Sequence, residues 1–338
     1  MSDADDNTPG TELASRYEDI PIEPAGFGAV GSSAMPELTR GKVDRLNFAG
    51  NREVAEKIDY NVGFSARVWA QVTLPYNDPG DQSFWVRRNG PITLRVRPAA
   101  MSTPDGRDIN AYPFGILPRH IMTWMASEAY RTNSPELELG ASMNAFMEKL
   151  GVTAGGKNRA RLRDQMQRVF GSQLSVEGIA FGEAGAGYGV AQKYFQIADE
   201  VQLWFSERED LTMEGLWSSK VRLSTPFYDS IKAHPIPVDL DALRVLGSAP
   251  LRIDIYIWLG YRLWSLERAT RIKWSDLYVQ FGSQTKRERD FKIQFLKALL
   301  EIKIVFPALR YEYDQNFFVL FPGPTPVPTT TAKRALRS

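Results

Sequence analysis

The stretch that most constrains this chain is Thr285–Leu320, a charged helix followed at once by a hairpin. Between Arg287 and Lys303 the apolar residues Phe291, Phe295, Leu299 and Ile302 recur at helical spacing, and Ile293, Leu296 and Leu300 widen the stripe to about half the cylinder. The opposite face collects Lys286, Arg287, Asp290, Gln294, Lys297 and Glu301. Phe306-Pro307 cannot continue a helix. Leu309–Tyr313 and Phe317–Phe321 then read as two short strands turning at Asp314-Gln315-Asn316.

A helix that is apolar on one side, cationic and amide-rich on the other, and backed by a hairpin suits a winged helix-turn-helix in a DNA major groove. The side chains fit that chemistry. Arg287 can pair bidentately with guanine O6 and N7, and Gln294 with adenine N6 and N7. Asp290 can accept from cytosine N4 or orient Arg287 across one turn. Lys286 and Lys297 suit phosphates. Arg289 and Lys292 project towards the apolar side, with stems that pack. The competing reading is a solvated amphipathic helix; the hairpin behind it and a second copy of the pattern upstream favour DNA.

That second copy is one of order rather than identity. Pro118 opens a helix to about Arg131, Glu136–Leu139 is a short strand, and Ser142 caps Met143–Leu150, which Gly151 stops. Lys157–Phe170 is a third helix, with Leu162, Met166, Val169 and Phe170 inward and Lys157, Arg161, Asp164 and Arg168 outward. Ser172–Phe181 and Gln192–Phe205 read as strands. After a proline-punctuated connector, Pro226–Pro237, the order recurs: Leu251–Leu266 is a long helix, and Ser275 caps Asp276–Phe281. Ahead of both copies, Ser65–Leu74 alternates as a strand, and Ser83–Arg88 and Ile92–Val96 flank the hairpin signal Asn89-Gly90. In the first module Lys157, Arg159, Arg161, Arg163 and Arg168 are opposed only by Asp164. Phosphate contact and salt bridging to a partner subunit are both open to them.

The expected architecture is an α+β fold of two tandem winged-helix domains, the first with an additional small β-sheet. Residues 1–40 form an acidic, disordered tail; 41–240 the first domain, for dimerisation and phosphate contacts; 241–322 the DNA-reading domain; 323–338 a flexible, proline-rich and basic tail. A formal net charge of +1 hides an asymmetry. The first 40 residues carry Asp3, Asp5, Asp6, Glu12, Glu18, Asp19, Glu23 and Glu37 against Arg16 and Arg40, so the remainder is clearly basic.

Other chemistries lack their residues. With 0 cysteines there are no disulfides, thiolate metal sites or cysteine nucleophiles. Gly151-x-x-x-x-Gly156-Lys157 matches most of a phosphate-binding loop, but Asn158 stands where Ser or Thr should hold magnesium, and a helix rather than a strand precedes it. Gly185-Ala-Gly187-Tyr-Gly189 lies between strands and reads as a flexible wing tip. The 2 histidines, His120 and His234, are too far apart for the metal pair of a nicking enzyme, and each reads as a helix-start or surface residue. No cofactor, no metal and no catalysis are expected. The start lacks the basic-then-apolar pattern of a signal peptide, and a cytoplasmic, non-membrane protein is expected.

Ser83–Leu94 (SFWVRRNGPITL), Tyr112–Leu150 (YPFGILPRHIMTWMASEAYRTNSPELELGASMNAFMEKL), Gly155–Val169 and Phe291–Pro322 (FKIQFLKALLEIKIVFPALRYEYDQNFFVLFP) together resemble the plasmid-encoded RepA replication initiators. The resemblance runs from about residue 65 to 325. It implies an initiator of two winged helices that binds repeated origin sequences, iterons, opens the adjacent duplex and helps load host replication proteins (the host initiator and helicase loaders). It further implies a C-terminal sequence reader, an N-terminal module for phosphates and dimerisation, and a homodimer in equilibrium with monomer, the dimer autorepressing. A winged-helix transcriptional regulator is the rival function, and an origin-nicking enzyme a third.

Overall fold

The computed structural model describes residues 60–102, 105–140, 142–181, 188–203, 219–247, 249–282 and 285–335. The expected acidic tail, residues 1–40, lies outside them. In chain order the first half runs β1 (Val62–Ala66), α1 (Arg67–Gln71), β2 (Trp85–Asn89), β3 (Ile92–Arg97), β4 (Ala99–Ser102), β5 (Asp108–Ala111), α2 (Ile116–Thr132), β6 (Glu136–Glu138), α3 (Met143–Lys149), α4 (Gly156–Gly171), β7 (Gln173–Phe181) and β8 (Tyr188–Gln196). The second half runs β9 (Ala198–Gln202), β10 (Lys220–Leu223), α5 (Thr225–Ala233), β11 (Pro235–Asp239), α6 (Leu240–Leu246), α7 (Pro250–Trp264), β12 (Thr270–Lys273), α8 (Trp274–Phe281), α9 (Glu288–Val305), β13 (Tyr311–Tyr313), β14 (Phe317–Leu320) and α10 (Thr329–Ala335). The fold is mixed α and β, with small antiparallel sheets throughout.

Two cores form. One gathers α2, α3, α4 and α5 over the inner face of the sheet β2-β3-β7-β8; the other gathers α6, α7, α8 and α9. In the second, Trp258, Trp274, Phe281, Phe295 and Phe318 meet edge-on or tilted with ring centroids 5.6–6.4 Å apart. Each large apolar side chain buried this way contributes about 1.5–3 kcal/mol of transfer free energy.

Several expected elements differ. Ser65–Leu74 is not one strand but β1 followed by α1, because both sides of this stretch are buried: Ser65 and Thr73 are as enclosed as Ala66 and Val72. The alternation therefore marks no solvent face. The connector at Pro226–Pro237 is instead α5 and β11; Ser224 caps α5 and sends Phe227 and Ile231 into the core. Ser275 caps nothing. β12 runs to Lys273, and Trp274 opens α8 because its buried indole donates to the Asp314 carbonyl at 3.1 Å. Tyr188 and Gly189 belong to β8, whereas Gly185 and Gly187 fall outside the described residues. The stretch from Gly323 to Ala335, expected as a flexible tail, packs: Val327 and Ala332 are buried and α10 forms.

The hairpin β13–β14 joins β12 in the order β12-β14-β13. In the first module the helix and strand order is similar, but β10 stands between β6 and β9, and the hairpin β7–β8 extends into β3 and β2 instead.

Candidate nucleic-acid interface

α8 ends at Gly282, and α9 begins behind its N-cap, Arg287. Its core side is Phe291, Phe295, Leu296, Ala298, Leu299, Ile302 and Val305, all buried. Burying that side leaves the other to solvent: Lys286, Arg287, Gln294 and Lys297 are exposed, and Asp290 is half-buried. Arg287 stands at the N-cap with extended backbone and donates from Nε to Asp290 Oδ2 at 2.8 Å. This is the orienting arrangement weighed from the sequence. Gln294 and Lys297 line an open cleft that Tyr76 and Asn77 of the first module and Pro250 of α7 complete.

One member of the outward face behaves otherwise. Glu301 is buried, 2% exposed, and pairs with Arg252 of α7. The solvent stripe therefore ends about one turn before the helix does, because α7 crosses there. Lys292 is structural: its ammonium donates to the Asp314 carbonyl at 2.6 Å and lies over the rings of Trp274 and Tyr313. Burial lowers its pKa, an effect that Asp314 and Glu288 oppose.

On α4, Lys157 and Arg161 share one exposed side, while Arg159 and Arg163 lie on another. Arg159 donates from Nε to Asn144 Oδ1 of α3 at 3.1 Å. Arg168, expected among the DNA contacts, is turned inward: its side chain is 12% exposed. It donates to Asp164 at 2.9 Å, to Asp78 at 3.2 Å and to the Tyr112 carbonyl at 3.2 Å, over the ring of Phe114. Arg168 fastens α4 to the loop after α1. Its partners lie up to 90 residues away in sequence, so its fate was invisible to a helical projection.

The two modules meet at a buried ion pair. Arg119 of α2 donates to both carboxylate oxygens of Asp254 on α7 at 2.8 and 2.7 Å, and also to the carbonyls of Leu74, Pro75 and Gly115. Tyr76 stacks beneath the guanidinium. This locks the loop carrying Tyr76 and Asn77 beside the exposed side of α9. Its sequence signal was an arginine and an aspartate on otherwise apolar helix faces. His120, next in line, lies in the second turn of α2, near the helix start as expected, and is half-buried: burial, with Arg244 and Arg119 nearby, lowers its pKa to about 4.

Among the described residues no group of His, Cys, Asp and Glu is arranged to hold a metal, and no helix is long and apolar enough to cross a membrane. Residues 112–277 match the family described as plasmid encoded RepA protein. No curated protein matches the chain in sequence. Among solved structures it is similar to domains 2 and 3 of RctB: a selenomethionine form has a TM-score of 0.49 at 11% identity, covering 75% of this chain and 97% of that one. A second RctB domain 2–3 structure has a TM-score of 0.44 at 10% identity, covering 75% and 96%.

Proposed function

From its membership, through residues 112–277, of the plasmid-encoded RepA replication initiators, we propose that this chain reads repeated duplex sequences at a plasmid origin with α9 and promotes opening there. One observation carries the reading. Gln294 and Lys297 stand exposed along a helix whose other side is core, with Lys286 and Arg287 exposed at its N-terminal end, directly ahead of the hairpin β13–β14. A major groove about 12 Å wide admits such a helix. The element order α7, β12, α8, α9, β13, β14, with strands paired β12-β14-β13, supports a winged helix for this half. The parallel order α2, β6, α3, α4, β7, β8 supports a second one, enlarged by β2, β3, β9 and β10.

In this reading Arg287 and Gln294 address bases, Asp290 holds Arg287 in place, and Lys286 and Lys297 hold phosphates. Lys157 and Arg161, with Arg159 and Arg163 on the flank of α4, add phosphate contacts from the first module. The protein works without a catalytic centre or cofactor of its own, as a dimer exchanging with monomer, and hands the opened origin to host replication proteins.

Titration against a cognate duplex and point-altered versions, at several salt concentrations, tests the division of labour. Arg287→Ala and Gln294→Ala should each cost about 1–3 kcal/mol at the cognate site and relax preference at one base position. Arg161→Ala should weaken all duplexes alike and reduce the salt slope by about one. Uniform loss from the α9 variants, together with altered base preference from Arg161→Ala, would reverse the two helices' roles.

A further inference from the structure

The sheet β2-β3-β7-β8 buries one face, through Leu94, Val96 and Leu174, and leaves the other open. The pairing register fixes what that open face displays. Arg95, Ser175 and Tyr194 form one row across β3, β7 and β8; Arg97, Gln173 and Gln196 form the next. Phe84, just ahead of β2, borders the same cleft of about 530 Å³. Tyr194 is 69% exposed and Phe84 54%, the two most exposed large hydrophobic side chains among the described residues.

We propose that this face is a stacking platform for single-stranded nucleic acid, with Phe84 and Tyr194 receiving unpaired bases and Arg88, Arg95 and Arg97 meeting the backbone. The inference does not depend on duplex reading by α9.

Three observations favour that occupant. First, the rings stand at opposite edges of a four-stranded sheet, about 14 Å apart, with guanidinium and amide groups between them. Aromatic rings on an open sheet face, flanked by cations, take up bases whose own faces are free. Second, bases inside a duplex are already stacked on their neighbours, so these rings have nothing to receive from duplex DNA. Third, the charge suits a polyanion. Arg88 and Arg97 are exposed, and the one carboxylate among the face's described residues, Glu177, already accepts from Arg95 and from Gln192. A second copy of the chain docked here about a twofold axis would bring this basic face against another of the same sign. That disfavours self-association through this face.

The test uses the full chain and fluorescently labelled oligothymidylate and oligouridylate of about 12 nucleotides, read by anisotropy. The wild-type protein should bind at least one of them, and the two arms identify DNA or RNA as the preferred strand. Tyr194→Ala and Phe84→Ala should each weaken that binding about 5- to 150-fold, whereas Tyr194→Phe keeps the ring and the affinity. Arg97→Ala should lower the salt slope by about 0.7. All four variants should bind duplex as the wild type does. These side chains are exposed, and unchanged circular dichroism will establish that folding is intact. Full oligonucleotide affinity in Tyr194→Ala, or no binding by the wild-type protein, overturns the proposal. So does loss of self-association by Tyr194→Ala in sedimentation with oligonucleotide affinity unaltered, which would assign the face to a second copy.

Discussion

His120 shows how much one residue's surroundings decide. Its imidazole lies in α2 between Arg119 and Arg244, half-buried, and both neighbours are held in place, Arg119 by Asp254 and Arg244 by Asp241. Burial is the first reason it stays neutral, and the two cations add to it. The folded pKa of about 4 lies below the 6.5 of a free histidine, so the unfolded chain takes up a proton that the folded chain refuses. Stability from this group is therefore complete above about pH 6.5 and is lost as pH falls towards 4. Between about pH 7.5 and pH 5 the loss should approach 2 kcal/mol. Urea midpoints across that range should fall more for the wild-type protein than for His120→Gln. Equal slopes would mean that His120 titrates normally.

At the scale of elements, the long periodic helices were legible. α2, α4 and α9 lie close to where their apolar spacing puts them, and Asn89-Gly90 turns β2 into β3. The short ones were not. β10 and β12 have four residues each and are defined by their pairing with β6, β9 and β14 rather than by any pattern of their own. The candidate site divides the same way. Exposure of Gln294 and Lys297 follows from α9's own periodicity, whereas Lys286 and Arg287, projected from the sequence onto the same helical face, lie ahead of its first turn. The withdrawal of Glu301 and Arg168 depends on Arg252 and Asp78, which no local pattern places beside them. Gly282 is another residue whose meaning lies across the seam. It ends α8 with a φ of +29°, and a Cβ there would fall 1.5 Å from Arg87 Nη1 of β2. Gly282→Ala should cost about 1–3 kcal/mol from backbone strain and displacement of Arg87. In a double-mutant cycle with Arg87→Ala part of that cost should disappear. Strictly additive losses in thermal unfolding would show that the two do not meet.

The whole molecule is joined more closely than two beads on a string. Ala70 of α1, from the first half of the chain, belongs to the second core, and Gln280 of α8 donates to the carbonyls of Ala70 and Gln71 at 3.3 and 3.4 Å. β1 pairs along its length with β11, the strand that leads into α6. Arg119 and Asp254, each about 5% exposed, close the seam. Such a seam holds the exposed sides of α4 and α9 in one relative placement, so a duplex engaging both must present its contacts at a fixed spacing. It also gives the halves a shared fate on unfolding. Calorimetry of the full chain should show one cooperative transition, with van't Hoff and calorimetric enthalpies agreeing. Asp254→Ala, which strands the Arg119 charge in the interior, should cost about 3–5 kcal/mol. Replacing both partners with apolar residues should cost much less than the two single changes combined, because no charge is left unpaired. A fragment of residues 241–335 lacks α1 and Arg119 and so bares one flank of α7; it should unfold well below the full chain. Two separate calorimetric transitions, with the fragment melting at the temperature of one of them, would instead mean that the halves are independent and that the spacing between the exposed sides of α4 and α9 is free to vary.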